Sequence, residues 1–159
     1  MTHQSTAAHG HAVTLCRHPA LTVDAVVLRP HPPEPGRAEF EVLLVRRGRE
    51  QFLGCWAFPG GFVEYGEEPG AAVRREVEEE TGLAGLPLRQ HRVYGDPRRD
   101  PRGHTVTLVY VAELGADPAH QAPRAGDDAD QAAWFPVDAL PELAFDHRAI
   151  LDDVLEMRG

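Results

Sequence analysis

GFVEYGEEPGAAVRREVEEETGL, Gly61 to Leu83, is the stretch from which the rest of the chain can be read. A glycine loop behind Pro59-Gly60-Gly61 leads into it. Pro69 suits a first helical turn, where its missing N–H is not needed. A helix is therefore expected from Gly70 to Thr81, stopped by Gly82 in the C′ position that favours glycine. Glu76, Glu79 and Glu80 stand at i, i+3 and i+4 and so share one face of that helix. Three carboxylates on one face repel one another in water. A hard cation removes that repulsion, and carboxylate oxygens are what Mg²⁺ or Mn²⁺ prefer. A solvated acidic face is the alternative for such a run. Val73 and Val77 form an adjacent stripe expected to face the core. Ala72 is expected on the acidic face, where its short side chain leaves room. Arg75 is placed to orient Glu76 by a charge-assisted hydrogen bond.

The spacing resembles the Nudix box, whose pattern is Gly, five residues, Glu, seven residues, Arg-Glu, an aliphatic, any residue, Glu-Glu, any residue, Gly, an aliphatic. Gly61, Glu67, Arg75-Glu76, Val77, Glu79-Glu80, Gly82 and Leu83 fill every fixed position. The resemblance to Nudix proteins covers nearly the whole chain beyond the first residues. It implies an α/β fold, an α/β/α sandwich around a central mixed β-sheet with the box as a loop–helix–loop. It implies Mg²⁺-dependent hydrolysis, Mn²⁺ serving as an alternative, of a nucleoside diphosphate linked to another moiety. Glu76, Glu79, Glu80 and the main-chain carbonyl of Gly60 are the implied metal ligands. Arg75 would orient Glu76, and Glu67 would support the loop–helix turn or an outer-shell water. Glu80 or Glu79 is the implied general base, with Asp127, Asp128 and Asp130 as later-loop alternatives. Within the family, Arg99-Asp100-Pro101-Arg102-Gly103-His104, Ala133-Trp134-Phe135-Pro136 and Phe145-Asp146-His147 resemble compact prokaryotic ADP-ribose pyrophosphatases. The products would be AMP and ribose 5-phosphate. Related sequences also occur in ADP-ribose-sensing regulators, so binding without turnover is the alternative from another class. Other nucleotides (a nucleoside triphosphate, NADH, a sugar nucleotide) are the alternatives within enzymes. Family members are often homodimers, and a homodimer is carried over as an expectation.

A chain of 159 residues with 42% apolar residues suits one domain with a real core. That domain is expected over residues 20–159, behind an N-terminal arm over 1–19. In the arm, His9 and His11 read as an HxH metal pair or as a solvated tail. The net charge is −9, and no basic patch large enough for duplex nucleic acid is evident. A small-molecule nucleotide, not nucleic acid, is the expected partner. All 16 basic residues are arginine. That excludes a P-loop lysine and a Schiff-base lysine, and phosphate contacts fall to Arg, backbone N–H groups or metal. Cys16 and Cys55 form no CxxC pair and read as reduced thiols in a cytoplasmic protein. No apolar run approaches the roughly 18 residues of a membrane span. The N-terminus lacks the apolar core of a secretory signal.

Leu21–Arg29 and Phe40–Arg47 are β-branched and apolar, two strands able to form a hairpin. Asp24 within the first is either a satisfied core acid or a substrate contact. Strand alternation sends Arg46 and Arg47 to opposite faces, so one of them, Arg47 in particular, is a candidate for the substrate. Phe52 either packs or stacks on a base, while Trp56 and Phe58 belong to the core. Leu88–Tyr94 and Thr105–Leu114 are strands that bracket the loop Gly95–His104. A loop held by a rigid sheet is a favoured place for binding residues. Arg98, Arg99, Arg102 and His104 are its candidates for a pyrophosphate. Asp100 is placed to pair with one arginine, and a solvated hairpin tip is the alternative. Ala132–Val137 reads as a last strand. Phe145–Arg158 reads as a terminal helix that Asp146 could cap.

Overall fold

The computed structural model describes residues 17–49, 51–115, 123 and 129–158. Asp127, Asp128, His9, His11, Cys16 and most of the expected arm lie outside them. β1 (Ala20–Pro30) is the axis of the fold. Val23 and Ala25 to Leu28 are fully buried, as expected of an apolar run covered on both faces. β1 runs parallel to β6 (Thr105–Glu113), and β5 (Arg89–Tyr94) lies antiparallel beyond it.

The other edge of β1 is shared. Its C-terminal end pairs with β2 (Phe40–Arg47) from Leu28↔Val42 to Pro30↔Phe40. Its N-terminal half pairs with β4 (Gly60–Phe62), with Asp24 opposite Gly60. The expected hairpin of the first two strands is therefore confined to their joined ends. β2 diverges to pair with β3 (Trp56–Ala57) on one side and β7 (Ala129–Pro136) on the other. The link between β3 and β4 fills the resulting gap. The Pro59 carbonyl accepts from Ala25 N–H at 2.8 Å and the Cys55 carbonyl from Arg47 N–H at 2.8 Å. The divergence thus leaves these backbone groups paired.

α1 (Pro69–Thr81) covers one face of the mixed sheet and α2 (His147–Glu156) the other. Strand alternation sorts the core between them. Val23, Ala25 and Val27 of β1 meet Val73 and Val77 of α1. Val26 and Leu28 meet Ile150, Leu151 and Val154 of α2. This is the expected α/β/α sandwich. Ala72 is not on an open acidic face: it is fully buried in the α1 core, where a small side chain lets the helix approach the sheet.

α1 begins with Glu68, whose side chain accepts from Ala71 N–H, and ends at Gly82 with φ 73°. α2 starts at His147, two residues later than expected, because Phe145 has φ 53°, a left-handed value outside the helical region. Asp146 precedes the helix but makes no side-chain cap. Its carboxylate is taken by Arg99. Among the described residues no helix is long and apolar enough to cross a membrane.

Candidate active site

Where β1 and β2 part, the strand ends, the box and the loop after β5 enclose a cleft of about 330 Å³. One wall is carboxylate. Arg75 organises it, its Nε and Nη2 donating to the two oxygens of Glu67 at 2.7 and 3.0 Å. Its Nη1 reaches Glu76 at 2.8 Å and Glu79 at 3.3 Å, and Nη2 also reaches the Phe62 carbonyl at 3.2 Å. The Arg75 hydrogen bonds and one from Glu64 N–H hold the Glu67 carboxyl down at about 2. Glu76 is shifted the other way. Burial raises its pKa, and the charges of Glu79 and Glu67 add to this against the pull of Arg75. Gly60 N–H donates to Glu80 at 3.0 Å.

Two glycines are required by this packing. A Cβ on Gly61 would lie 2.6 Å from the Glu76 carboxyl, and one on Gly60 would lie 2.2 Å from the Val23 carbonyl. Glu76, Glu80 and Gly60 border the cleft. The Glu79 side chain is 60% exposed. Among the described residues, no three His, Cys, Asp or Glu side chains converge closely enough to chelate an ion. The chemistry of the donors nonetheless fits a hard cation. They are carboxylate and carbonyl oxygens, and burial and like charge disfavour the Glu76 anion until a positive charge offsets them.

The same cleft is also lined by guanidinium groups. Arg47 and Arg102 border the cleft, with Arg46 and Arg49 beside them. Alternation along β2 had assigned Arg46 and Arg47 to opposite faces. A register shift between them breaks it, and both reach the cleft. Arg47 Nε donates to the Gln51 carbonyl at 2.8 Å, and its guanidinium lies 4.9 Å from the Phe145 ring centre. Burial and then the charge of Arg102 lower its pKa, against the pull of Glu80, Asp100 and Asp24. Arg102 is locked by Asp100 (Nη2–Oδ2 2.7 Å, Nε–Oδ1 3.0 Å). It stands 5.4 Å from the ring centres of both Phe62 and Phe145. Burial pushes the Asp100 carboxyl up, but the Arg102 hydrogen bonds and charge outweigh it, and its pKa is lowered.

The remaining candidates divide. Arg99 borders the cleft, yet its side chain is 4% exposed and its donors engage Asp146 at 2.7 and 3.0 Å and Thr105 at 2.9 Å. That is a structural tie. Arg98 is 89% exposed, is paired with Asp96, and lies off the cleft. His104 is held by the Gly95 carbonyl at 3.0 Å, also off the cleft. Phe52 does not line it either and packs on Phe145 at 4.7 Å. For Asp24 the two readings meet: Thr107 donates to it at 2.6 Å, and it borders the cleft. Phe62, Phe145 and His147 also line it, and sequence reading names none of them as a site residue, Phe145-Asp146-His147 entering only as part of the family resemblance. The place of Phe145 in the cleft depends on φ 53°, which that resemblance does not convey.

The NUDIX domain family matches residues 18–154. The chain is 39% identical over 142 residues to the ADP-ribose pyrophosphatase of Methanocaldococcus jannaschii, spanning 89% of this chain and 76% of that protein. It is 30% identical over 137 residues to the ADPR responsive transcriptional repressor NtrR of Acinetobacter baylyi, across 84% of this chain and 52% of the repressor. It therefore spans about half the length of that regulator. Among solved structures it is similar to the NUDIX domain of Shewanella oneidensis NrtR complexed with ADP ribose. The TM-score is 0.80 and the identity 29%, with 98% of this chain and 100% of that one covered. On the family match, the box and the fold together, the chain belongs to the Nudix family.

Proposed function

We propose that this Nudix pyrophosphohydrolase cleaves ADP-ribose to AMP and ribose 5-phosphate with Mg²⁺, Mn²⁺ being an alternative. One observation carries the reading. A single cleft is lined both by the box carboxylates Glu76 and Glu80 and by the guanidiniums of Arg47 and Arg102. A pyrophosphate is anionic and repels a nucleophile. The divalent ion, when bound, offsets that charge, polarises a phosphoryl oxygen and acidifies water. Glu76, Glu79, Glu80 and the Gly60 carbonyl would hold it. Arg75 fixes two of those glutamates before any ligand arrives. Arg47 and Arg102 bind phosphate oxygens, and an anion between them relieves their mutual repulsion. A water attacks phosphorus, the bridging P–O bond breaks, and the second phosphate leaves. Glu80, which borders the cleft, takes the proton of that water, an acid–base contribution of about 10²–10⁴-fold. The similarity to the archaeal pyrophosphatase and to the ADP-ribose-bound domain supports the choice of substrate. The free Cys55 thiol suits a reducing cytoplasm. The homodimer expected from the family is part of the reading, and sedimentation reads it out.

The relation to NtrR favours one second reading, ADP-ribose binding without turnover. A panel decides: ADP-ribose, NADH, diadenosine polyphosphates, sugar nucleotides and nucleoside triphosphates, each with Mg²⁺ and with products identified by mass. The highest kcat/KM is expected for ADP-ribose. A better substrate elsewhere in the panel would keep the chemistry and replace the substrate. Tight ADP-ribose binding with no product from any compound would make the chain a sensor.

A further inference from the structure

A buried polar chain runs through the sheet beside the cleft, and the chemistry above leaves it unused. Thr107 of β6 donates to Asp24 Oδ2 of β1 at 2.6 Å. Asp24 Oδ1 faces His147 Nε2 of α2 at 3.7 Å. Phe58 N–H, between β3 and β4, donates to His147 Nδ1 at 3.0 Å. Because Nδ1 accepts, the neutral ring carries its proton on Nε2, towards the carboxylate. Burial lowers the His147 pKa and favours that neutral form. The ring also stacks on Phe58, with centres 4.5 Å apart and planes 14° apart. Asp24, His147 and Thr107 are all buried.

The segment this chain grips is Phe58 to Gly60. His147 holds its first N–H, Ala25 N–H holds the Pro59 carbonyl at 2.8 Å, and Glu80 takes the Gly60 N–H at 3.0 Å. Gly60 lies against Asp24 so closely that a Cβ would come within 2.6 Å of Oδ1. The carbonyl expected to face an ion and the glutamate expected to bind it are thus anchored to a histidine on the opposite face of the sheet. We propose that His147, oriented by Asp24, is a positioning residue: it fixes the Phe58–Gly60 backbone, hence the Gly60–Glu80 contact, and so sets the divalent-ion affinity of the box. This rests on the reading of the box as a metal site.

The test is Mn²⁺ binding by electron paramagnetic resonance without nucleotide, with folding checked by circular dichroism. Wild type is compared with His147→Leu, His147→Asn, Asp24→Asn and Glu80→Gln. Leucine removes the acceptor for Phe58 N–H. Asparagine keeps one where Nδ1 stood. Asp24→Asn removes the carboxylate charge that faces His147 Nε2 across 3.7 Å, and with it the electrostatic orientation of the ring. Removing an outer partner of a metal ligand commonly lowers affinity about 10–100-fold, and that loss is expected for His147→Leu. Asp24→Asn is expected to weaken binding in the same direction, and His147→Asn to restore most of it. A folded His147→Leu with wild-type affinity would overturn the proposal, as would an asparagine variant no better than leucine. If the leucine variant does not fold, Asp24→Asn decides, and unchanged affinity there overturns it. Absence of Mn²⁺ binding in wild type would instead remove the metal reading itself. Wild-type binding that Glu80→Gln weakens and His147→Leu leaves intact would sink only the relay.

Discussion

Arg75 donates to Glu67, Glu76, Glu79 and the Phe62 carbonyl, so one guanidinium fixes three carboxylates and the loop ahead of α1. Lysine carries the charge without the planar fork. Arg75→Lys is therefore expected to lower kcat/KM about 10–100-fold, the usual scale for an outer partner of a ligand. Steady-state rates across an Mg²⁺ series would show the loss, and an unchanged rate would mean that charge alone suffices. Gly61→Ala would put a methyl 2.6 Å from the Glu76 carboxyl and push it aside. A displacement near 1 Å can cost about 10²-fold in rate, which is the expected loss for a variant whose melting temperature changes little. A variant with wild-type kcat would show that Glu76 tolerates the shift. The box side chains were legible because nine fixed positions fall in register over a short span. For Asp24 the sequence offered a core acid or a substrate contact without choosing, and it placed Phe145 in the last helix. Their surroundings come from neighbours far away in sequence (Thr107 and His147 for one, Arg47, Arg102 and Phe52 for the other), which no local pattern encodes.

At the level of elements, the loop after β5 was expected to present arginines to substrate, and Arg102 from that loop borders the cleft. Arg99 instead ties the loop to the start of α2 through Asp146. Removing one partner of a buried pair leaves the other charge uncompensated. Asp146→Ala is expected to lower stability by about 3 kcal/mol, measured by urea unfolding. A loss below about 1 kcal/mol, the scale of an exposed pair, would mean that water replaces the carboxylate. β5 is joined to α2 by Tyr94, whose hydroxyl donates to Asp153 at 3.1 Å. Burial and this bond push the tyrosine up to about 12, from an ordinary value of 10.0. The raised value means that the fold favours the neutral phenol. Its contribution is complete below pH 10.0 and is lost as pH rises through about 12. The chain has no lysine to titrate in that window. Urea midpoints are expected to fall across it, and Tyr94→Phe to flatten the fall; equal slopes would exclude the phenol as the cause. Element ends were legible where backbone chemistry is local, as at Pro69 and Gly82. They were missed where tertiary contacts decide: the onset of α2 after Phe145, and the idle cap at Asp146.

For the molecule as a whole, the cleft exists because β1 and β2 separate and the β3–β4 link enters between them. Apolar runs predicted the strands and, with the family pattern, the sandwich. They could not predict the separation, since strand periodicity says which face a residue takes and not which edge it pairs with. The chain carries net charge −9 yet is read as binding a polyanion. The local guanidiniums and the bound ion must outweigh that overall field, so Mg²⁺ is expected to bind the folded state selectively. At about 100 times its dissociation constant it would add about 2.7 kcal/mol of stability. Thermal melts should rise with Mg²⁺, fall back with chelator, and respond much less in Glu76→Gln; an equal response there would place the ion elsewhere. The most direct measurement is phosphorus NMR of ADP-ribose incubated with the chain and Mg²⁺, beside Glu80→Gln and a chelated control. The pyrophosphate resonances should give way to two phosphomonoester signals, AMP and ribose 5-phosphate, with wild type plus metal. The variant should be slower by at least about 10²-fold, the low end for a lost general base. Persistence of the pyrophosphate with wild type at saturating Mg²⁺, or equal conversion by Glu80→Gln, would contradict the assignment of this cleft as a pyrophosphatase site.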